Sequence, residues 1–166
     1  TPQPLILLDA EVVLKSVRGE RRMKVDDFII SAKKTKLERG ELITSILIPP
    51  QDFTHYYYRK IGMRRSNAIS KLTLSAAATV RDGVLVDFRA SSGAAGPKVI
   101  RSYSAESILK GKRIEELEGV KEEFLDAWNN AISPHAMPLY RRGATRRMLS
   151  YFIDTLISGA PEGRIQ

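Results

Sequence analysis

The sequence predicts an α+β fold, in which an antiparallel sheet of about three strands carries a bundle of about three helices on one face. The hydrophobic period supports this class, because it is close to 2 residues in the first half of the chain and close to 3.6 in the second. The dipeptide Asp82-Gly83 supports the antiparallel pairing, because it separates two alternating runs and both residues tolerate positive φ.

A β-rich segment precedes this sheet. Residues 10–16 and 22–25 form a predicted hairpin around the turn Arg18-Gly19-Glu20. We expect Asp26 to cap a short helical turn over residues 27–29, because a carboxylate accepts hydrogen bonds from the free N–H groups of a helix start.

Two adjacent prolines mark the clearest boundary in the chain. Residues 32–40 are polar and basic and are interpreted as a connection, while residues 41–48 form a predicted strand that ends at Pro49-Pro50. Neither proline can donate to a strand ladder, so the first sheet is expected to stop there. Three further strands are predicted over residues 53–61, 71–81 and 84–90. One face of the middle strand is apolar, with Leu72, Leu74, Ala76, Ala78 and Val80.

Three helices are predicted in the second half. The first opens at residues 104–107 and ends at Gly111. The second, over residues 115–131, has an apolar stripe of Leu117, Val120, Phe124, Trp128 and Ala131. The third, over residues 144–157, has an apolar stripe of Met148, Leu149, Phe152, Ile153, Leu156 and Ile157.

Composition limits the chemistry of the chain. The 166 residues include no cysteine and only two histidines, which excludes disulfides, iron–sulfur ligation and a His-rich metal site within the chain. No apolar run approaches the roughly 20 residues that cross a bilayer, so no membrane span is predicted. The chain begins at Thr1 without a signal peptide, and a processed or cut start is expected.

The net charge of +8 favours an anionic partner, but the basic residues form short scattered clusters typical of a solvated surface. The glycine-rich residues 91–98 lack a phosphate-loop spacing and are interpreted as a loop that leaves the sheet. His135 is interpreted as a connector residue and His55 as a strand residue. The acidic residues of the second helix are interpreted as its first turn and solvent face, namely Glu115, Glu116, Glu118, Glu122 and Glu123. No catalytic residue and no metal ligand is assigned.

An aromatic and basic run over residues 53–65 is the best candidate for a binding site. Aromatic faces next to Arg59, Lys60, Arg64 and Arg65 are suited to stacking bases and holding phosphates. They are equally suited to a planar redox cofactor whose reduced form is anionic, because a nearby cation stabilises that charge. Residue types alone also allow an amphipathic edge strand followed by a basic turn.

Four stretches, taken in order, resemble the FAD-carrying subunit of molybdenum hydroxylases, the xanthine dehydrogenase and carbon monoxide dehydrogenase family. They are Leu7–Val12 with Arg18–Arg22 and Asp27-Phe28; Lys34–Ile46 with Ile48-Pro49; Tyr58–Lys60 with Arg64-Arg65, Ala68–Ser70 and Ala76–Ala78; and Tyr140–Arg142 with Arg146–Leu149.

The resemblance implies two units: residues 1–50 as the tail of an FAD-binding subdomain, and residues 53–160 as the C-terminal domain of the subunit. It also implies that Ile43 touches the flavin and that Lys60 approaches its isoalloxazine ring. The loop at residues 66–68 is neutral where relatives can carry acidic residues, which leaves the electron acceptor open.

By the same resemblance, FAD in the intact subunit passes electrons from iron–sulfur clusters to NAD or another acceptor, and the molybdopterin lies on another partner subunit. The family's pyrophosphate loops lie in the N-terminal half of the subunit, so we expect this chain alone not to retain FAD and to be inactive. A cytoplasmic location is expected. The alternatives from other classes are a module that binds single-stranded nucleic acid, which we do not favour, and a subunit-docking module without catalysis.

Overall fold

The computed structural model describes residues 2–62 and 69–159. The chain opens with helix α1 (Pro2–Leu7), followed by the predicted hairpin of strands β1 (Glu11–Ser16) and β2 (Gly19–Lys24) and by helix α2 (Val25–Phe28). Sequence reasoning did not predict α1, whose two prolines lie in the first turn, where a helix needs no backbone donor.

The predicted cap at Asp26 is wrong. Helix α2 starts at Val25 with Lys24 in the cap position and no side-chain hydrogen bond there. Asp26 lies inside the helix, and its carboxylate accepts from Lys98 Nζ at 2.7 Å. The residue therefore joins α2 to a loop far along the chain rather than starting the helix.

The residues that follow α2 form a short two-stranded sheet and add the last strand to the first sheet. Strands β3 (Ile29–Ser31) and β4 (Lys34–Thr35) pair with each other, so the predicted connection over residues 32–40 contains a short strand. Strand β5 (Leu42–Leu47) confirms the prediction over residues 41–48 and pairs with β1, giving the sheet order β2-β1-β5. A small core of six buried apolar side chains lies under this sheet: Ile6, Ala10, Val12, Leu14, Val25 and Phe28.

The main sheet has the order β6-β7-β8, with β6 (His55–Gly62), β7 (Ser70–Arg81) and β8 (Val84–Gly93) all antiparallel. Asp82 and Gly83 have φ of 49° and 74°, which is the backbone of a tight two-residue hairpin turn. Strand β8 extends three residues beyond its predicted end, because Ser91 to Gly93 pair with Ser75 to Thr73.

Helices α3 (Tyr103–Leu109), α4 (Leu117–Ala131) and α5 (Pro138–Ser158) cover one face of this sheet. The α+β class with three helices on that face is confirmed. Helix α5 begins six residues before its predicted start, with Pro138 in its first turn. The largest fully buried side chains of the core are Trp128, Phe88, Phe124, Leu72, Leu74 and Leu85.

Helix α1 packs against the opposite face of the main sheet, through contacts with β7 and β8. Thr73 and Ser75 on the α1 side of β7 are therefore buried, and Thr79 on the same face is buried beside the Asp52 carbonyl. The main sheet is therefore a middle layer between the helical bundle and α1.

A buried ionic network holds α1 in this position. Asp9 binds Arg89 at 3.0 Å and Arg101 at 3.1 Å, and Arg101 Nη1 also donates to the carbonyl of Ile6 at 2.9 Å. Arg101 completes a two-point pair with Glu106, with N–O distances of 2.8 and 3.0 Å. Burial lowers the pKa of Arg101, but Glu106 and Asp9 outweigh burial and the net shift is upward. Arg101 therefore stays charged and satisfies the exposed carbonyl end of α1.

The substitution Arg101→Met should destabilise the fold by about 3–5 kcal/mol, because it removes the two-point partner of the buried Glu106 carboxylate and leaves only Lys110, at 3.9 Å. Urea unfolding followed by circular dichroism measures this difference. The matched control is Arg113→Met, since Arg113 pairs with Glu115 at 2.7 Å but its side chain is 57% exposed. The control should cost about 0–1 kcal/mol. Equal losses in the two variants would contradict the role given to the network.

Candidate functional site

A groove of about 690 Å³ lies on the main sheet, on the face that α1 partly covers. Strand β6 forms one wall with Tyr56, Tyr58 and Lys60, and α1 forms the other with Gln3. The floor consists of the small side chains of β7 and β8. The groove also contains Lys60, a residue predicted from the sequence as a binding residue.

Strand register explains how these residues meet. Lys60 pairs with Thr73, and Thr73 pairs with Gly93; Tyr58 pairs with Ser75 in the next row. Directly paired residues of antiparallel strands project from the same face. The aromatic and cationic side chains of β6 therefore stand beside a floor that is low and carries hydroxyl groups, which leaves room for a flat ligand.

Three hydrogen bonds fix Gln3 at the floor of the groove. Its Nε2 donates to the Ser91 carbonyl at 2.9 Å, and its Oε1 accepts from the Thr73 hydroxyl at 2.6 Å. The Ser91 hydroxyl donates to the Gln3 carbonyl at 3.3 Å. Sequence reasoning missed Gln3 and Thr73. The alternation of β7 grouped Thr73 and Ser75 on one face, but nothing in it indicated that a helix covers them.

The structure places the two predicted flavin contacts on different sheets. Lys60 lies in the groove, whereas Ile43 lies on β5 and is not among the described residues that line the groove. Ile43 is 48% exposed and pairs with the buried Leu14, next to a register shift in the ladder. Their roles as flavin contacts remain predictions. The predicted residues Arg64, Arg65 and 66–68 lie outside the described part of the chain.

Exposed apolar residues surround Ile43. The register shift leaves Thr44 without a ladder partner, so Ile43 and Ile46 pair with the core residues Leu14 and Val12 on one face. Ile46 is 47% exposed, whereas Leu42, 72% exposed, pairs with Lys15 and projects from the other face. Strand β5 also forms the edge of its sheet. This apolar strip is suited to contact with another apolar surface.

A carboxylate clip fixes the start of β5. Glu41 accepts from Arg21 at 2.6 and 2.8 Å and from the backbone N–H of Glu38 at 2.8 Å. The hydrogen bonds from Arg21 and then from the Glu38 N–H lower the pKa of Glu41 from 4.5 to about 2. The clip joins β2 to the residue two positions before Ile43, so it orients the apolar strip.

The other candidate residues from the sequence are ordinary parts of strands and connections. His135 is an exposed residue of the connection between α4 and α5, and His55 is a half-buried residue of β6. Residues 91–93 of the glycine-rich segment belong to β8, and the rest leave the sheet as predicted. Among the described residues, no group of three or more His, Cys, Asp or Glu side chains is arranged to hold a metal ion.

The fold and the groove define an α+β domain with a ligand-sized groove on the sheet face opposite its helical bundle. Residues 56–156 match the family model of the CO dehydrogenase flavoprotein C-terminal domain, and residues 1–51 match that of the FAD binding domain in molybdopterin dehydrogenase. Because the first match covers more than half of the chain, the chain belongs to the CO dehydrogenase flavoprotein C-terminal domain family. The resemblance drawn from the sequence is confirmed.

Known proteins agree with this family. The chain is 26% identical to the xanthine dehydrogenase FAD-binding subunit of Escherichia coli O157:H7 over 98% of its own length and 57% of that protein. It is 27% identical to the nicotine 6-hydroxylase medium subunit of Paenarthrobacter nicotinovorans over 89% of its length and 52% of that protein. The chain thus spans about half the length of these relatives. The comparisons give no support to the nucleic-acid alternative.

The solved structure of carbon monoxide dehydrogenase from Hydrogenophaga pseudoflava has the same fold. It superposes with a TM-score of 0.82 over 95% of the chain and 55% of that protein, at 22% identity. No helix in the described ranges is long and apolar enough to cross a membrane.

The clip predicts a pH-dependent contribution to stability. Because the pKa of Glu41 is lowered in the folded state, its contribution is present above pH 4.5 and is lost as the pH falls from 4.5 through about 2. Urea midpoints of the native chain and Glu41→Gln should therefore differ at pH 7 and converge near pH 2. Glu38→Gln is the matched control, since Glu38 is 60% exposed, and its midpoints should follow the native chain. A constant Glu41→Gln deficit across this range would contradict the assignment.

Proposed function

We propose that this chain is part of the FAD-binding electron-transfer subunit of a molybdenum hydroxylase, and that its groove holds one side of the isoalloxazine ring. In this proposal residues 1–50 are the tail of the FAD-binding subdomain and residues 53–160 are the C-terminal domain, a division supported by the two family matches. The observation that carries the proposal is that Lys60 lines a groove of about 690 Å³ in a chain of this family.

The groove fits an isoalloxazine ring in size and chemistry. Its volume of about 690 Å³ is within the usual range of roughly 300–1,000 Å³ for small-molecule sites. Tyr56 and Tyr58 supply aromatic surface for a flat ring, and Thr73 and Ser75 supply polar groups on the floor. A ring that has one polar and one apolar end would find polar partners on the floor of the groove and aromatic partners on its wall.

Bound FAD supplies electron exchange between iron–sulfur clusters and an acceptor such as NAD. The contribution of the chain is to bind, orient and tune the ring. With the ring in the groove, the Lys60 ammonium would stabilise negative charge on its reduced form. A contact of Ile43 with the flavin is a separate part of the proposal, because Ile43 lies on β5 and not among the described residues that line the groove.

The phosphate groups of FAD have no comparable site in the described residues. The glycine-rich segment at residues 91–98 is partly a strand, and Pro97 removes a donor that a phosphate loop would use. For this reason we infer that the chain alone binds the ring weakly and gains little from the rest of FAD. Partner subunits that carry iron–sulfur clusters and molybdopterin, and a cytoplasmic location, belong to the same proposal.

Titration with lumiflavin, the bare ring, and with FAD tests the site directly. The chain should quench the fluorescence of bound lumiflavin through the nearby tyrosines and bind FAD no more than about tenfold tighter. Lys60→Met should weaken lumiflavin binding about tenfold or more, because it removes a charge-assisted contact worth about 1.5–3 kcal/mol.

The matched control is Arg59→Met. Arg59 precedes Lys60 on β6 and pairs with Leu74 on the face of the helical bundle, so the same charge is removed from the other side of the sheet. The control should bind lumiflavin like the native chain. Equal weakening in the two variants would contradict a specific site, and tight binding of FAD alone would contradict the missing phosphate site.

The partner part of the proposal predicts that the tagged intact subunit co-purifies with both iron and molybdenum. Elemental analysis of the purified complex measures both metals. The untagged subunit passed over the same resin is the control. A tagged subunit recovered with flavin but without either metal would contradict the assignment to a molybdenum hydroxylase.

A further inference from the structure

We propose that Thr73 is a specificity-determining residue of the groove: its hydroxyl, held by Gln3, is an obligatory hydrogen-bond acceptor that selects a ring edge with an N–H next to a carbonyl. This inference rests on the proposed function, because the ring is that of a flavin. It identifies which edge of the ring meets Lys60, and it names Thr73 as the residue that recognises this edge.

The direction of the Thr73 hydroxyl follows from the hydrogen bonds of Gln3. Gln3 Nε2 donates to the Ser91 carbonyl at 2.9 Å, and the reversed amide would place two oxygens against each other there. Gln3 Oε1 must therefore face Thr73, and the hydroxyl proton is committed to it at 2.6 Å. Both side chains are at most 9% exposed, so water competes little for this bond.

A hydroxyl group has one proton and two lone pairs. With its proton committed to Gln3, Thr73 can offer a ligand in the groove only an acceptor. Lys60, its direct cross-strand partner, can offer only donors. The two cross-strand partners that border the groove therefore offer one donor and one acceptor. The pyrimidine end of an isoalloxazine has the matching pattern, because its N3–H lies between two carbonyl groups.

Gly93 makes this arrangement possible. A Cβ atom at Gly93 would lie 2.4 Å from Thr73 Oγ1 and 3.1 Å from Gln3 Oε1, so any side chain there would displace the hydroxyl. The backbone of Gly93 is not at positive φ, and an alanine would be compatible with its conformation. Glycine at this position is thus explained by the space that the Gln3–Thr73 pair needs.

The test compares lumiflavin with 3-methyllumiflavin, which lacks the N3–H, on the full chain. Fluorescence quenching gives both dissociation constants. The native chain should bind lumiflavin about fivefold tighter, the value of one neutral hydrogen bond. Thr73→Val, which has the same shape without the acceptor, should bind the two flavins equally, and Thr73→Ser should restore the preference. Gly93→Ala should also abolish it, because it moves the hydroxyl without removing it.

Thr79→Val is the matched control. Thr79 lies on the same face of β7, is 2% exposed and donates to the Asp52 carbonyl rather than to the groove. It should keep the fivefold preference, and thermal unfolding checks that every variant is folded. A native chain that binds both flavins equally, or a Thr73→Val chain that keeps the preference, overturns the inference but not the flavin site. A native chain that binds neither flavin overturns the proposed function as well.

Discussion

The ionic network around Asp9 and Arg101 is the constraint on which the site depends. It lies where the carbonyl end of α1 meets β8, and Arg101 in it donates to the carbonyls of Ile6 and Leu7. Burial raises the pKa of Asp9, but Arg101, Lys24 and Arg89 outweigh it and lower the pKa below its ordinary value. The aspartate is therefore charged at neutral pH and keeps two arginines, Arg89 and Arg101, aligned on the end of the helix.

Because α1 is held there, the first residues of the chain become part of the groove. Gln3 closes the floor, and its partners Thr73 and Ser91 lie 70 and 88 residues later in the chain. The segment matching the FAD-binding model and the segment matching the C-terminal domain thus both line the groove. A ligand in the groove would contact both, which couples their relative placement to the affinity for that ligand.

The periodicity of the sequence predicted the main sheet, the hairpin at Asp82 and the three helices, because these elements bury one apolar face each. It missed α1, since Pro2 and Pro4 argue against a helix unless they occupy its first turn. Lys60 was found through a motif that resembles a family. Thr73 and Gln3 were not, because polar residues become a site only when a distant segment folds over them, and no local pattern records that contact.

Apolar and polar contacts have different roles in this geometry. The bundle core around Phe88 and Trp128 supplies burial, which is non-directional and tolerates small shifts. The groove needs side chains in fixed positions, and directional contacts such as hydrogen bonds and ion pairs fix them. A buried ion pair adds little net stability over an apolar replacement, but losing one partner is costly, so a displaced α1 would be strongly disfavoured. The network at Asp9 therefore contributes less to the stability of the fold than to the position of α1. The position of α1 in turn fixes the Thr73 hydroxyl, the cross-strand neighbour of Lys60.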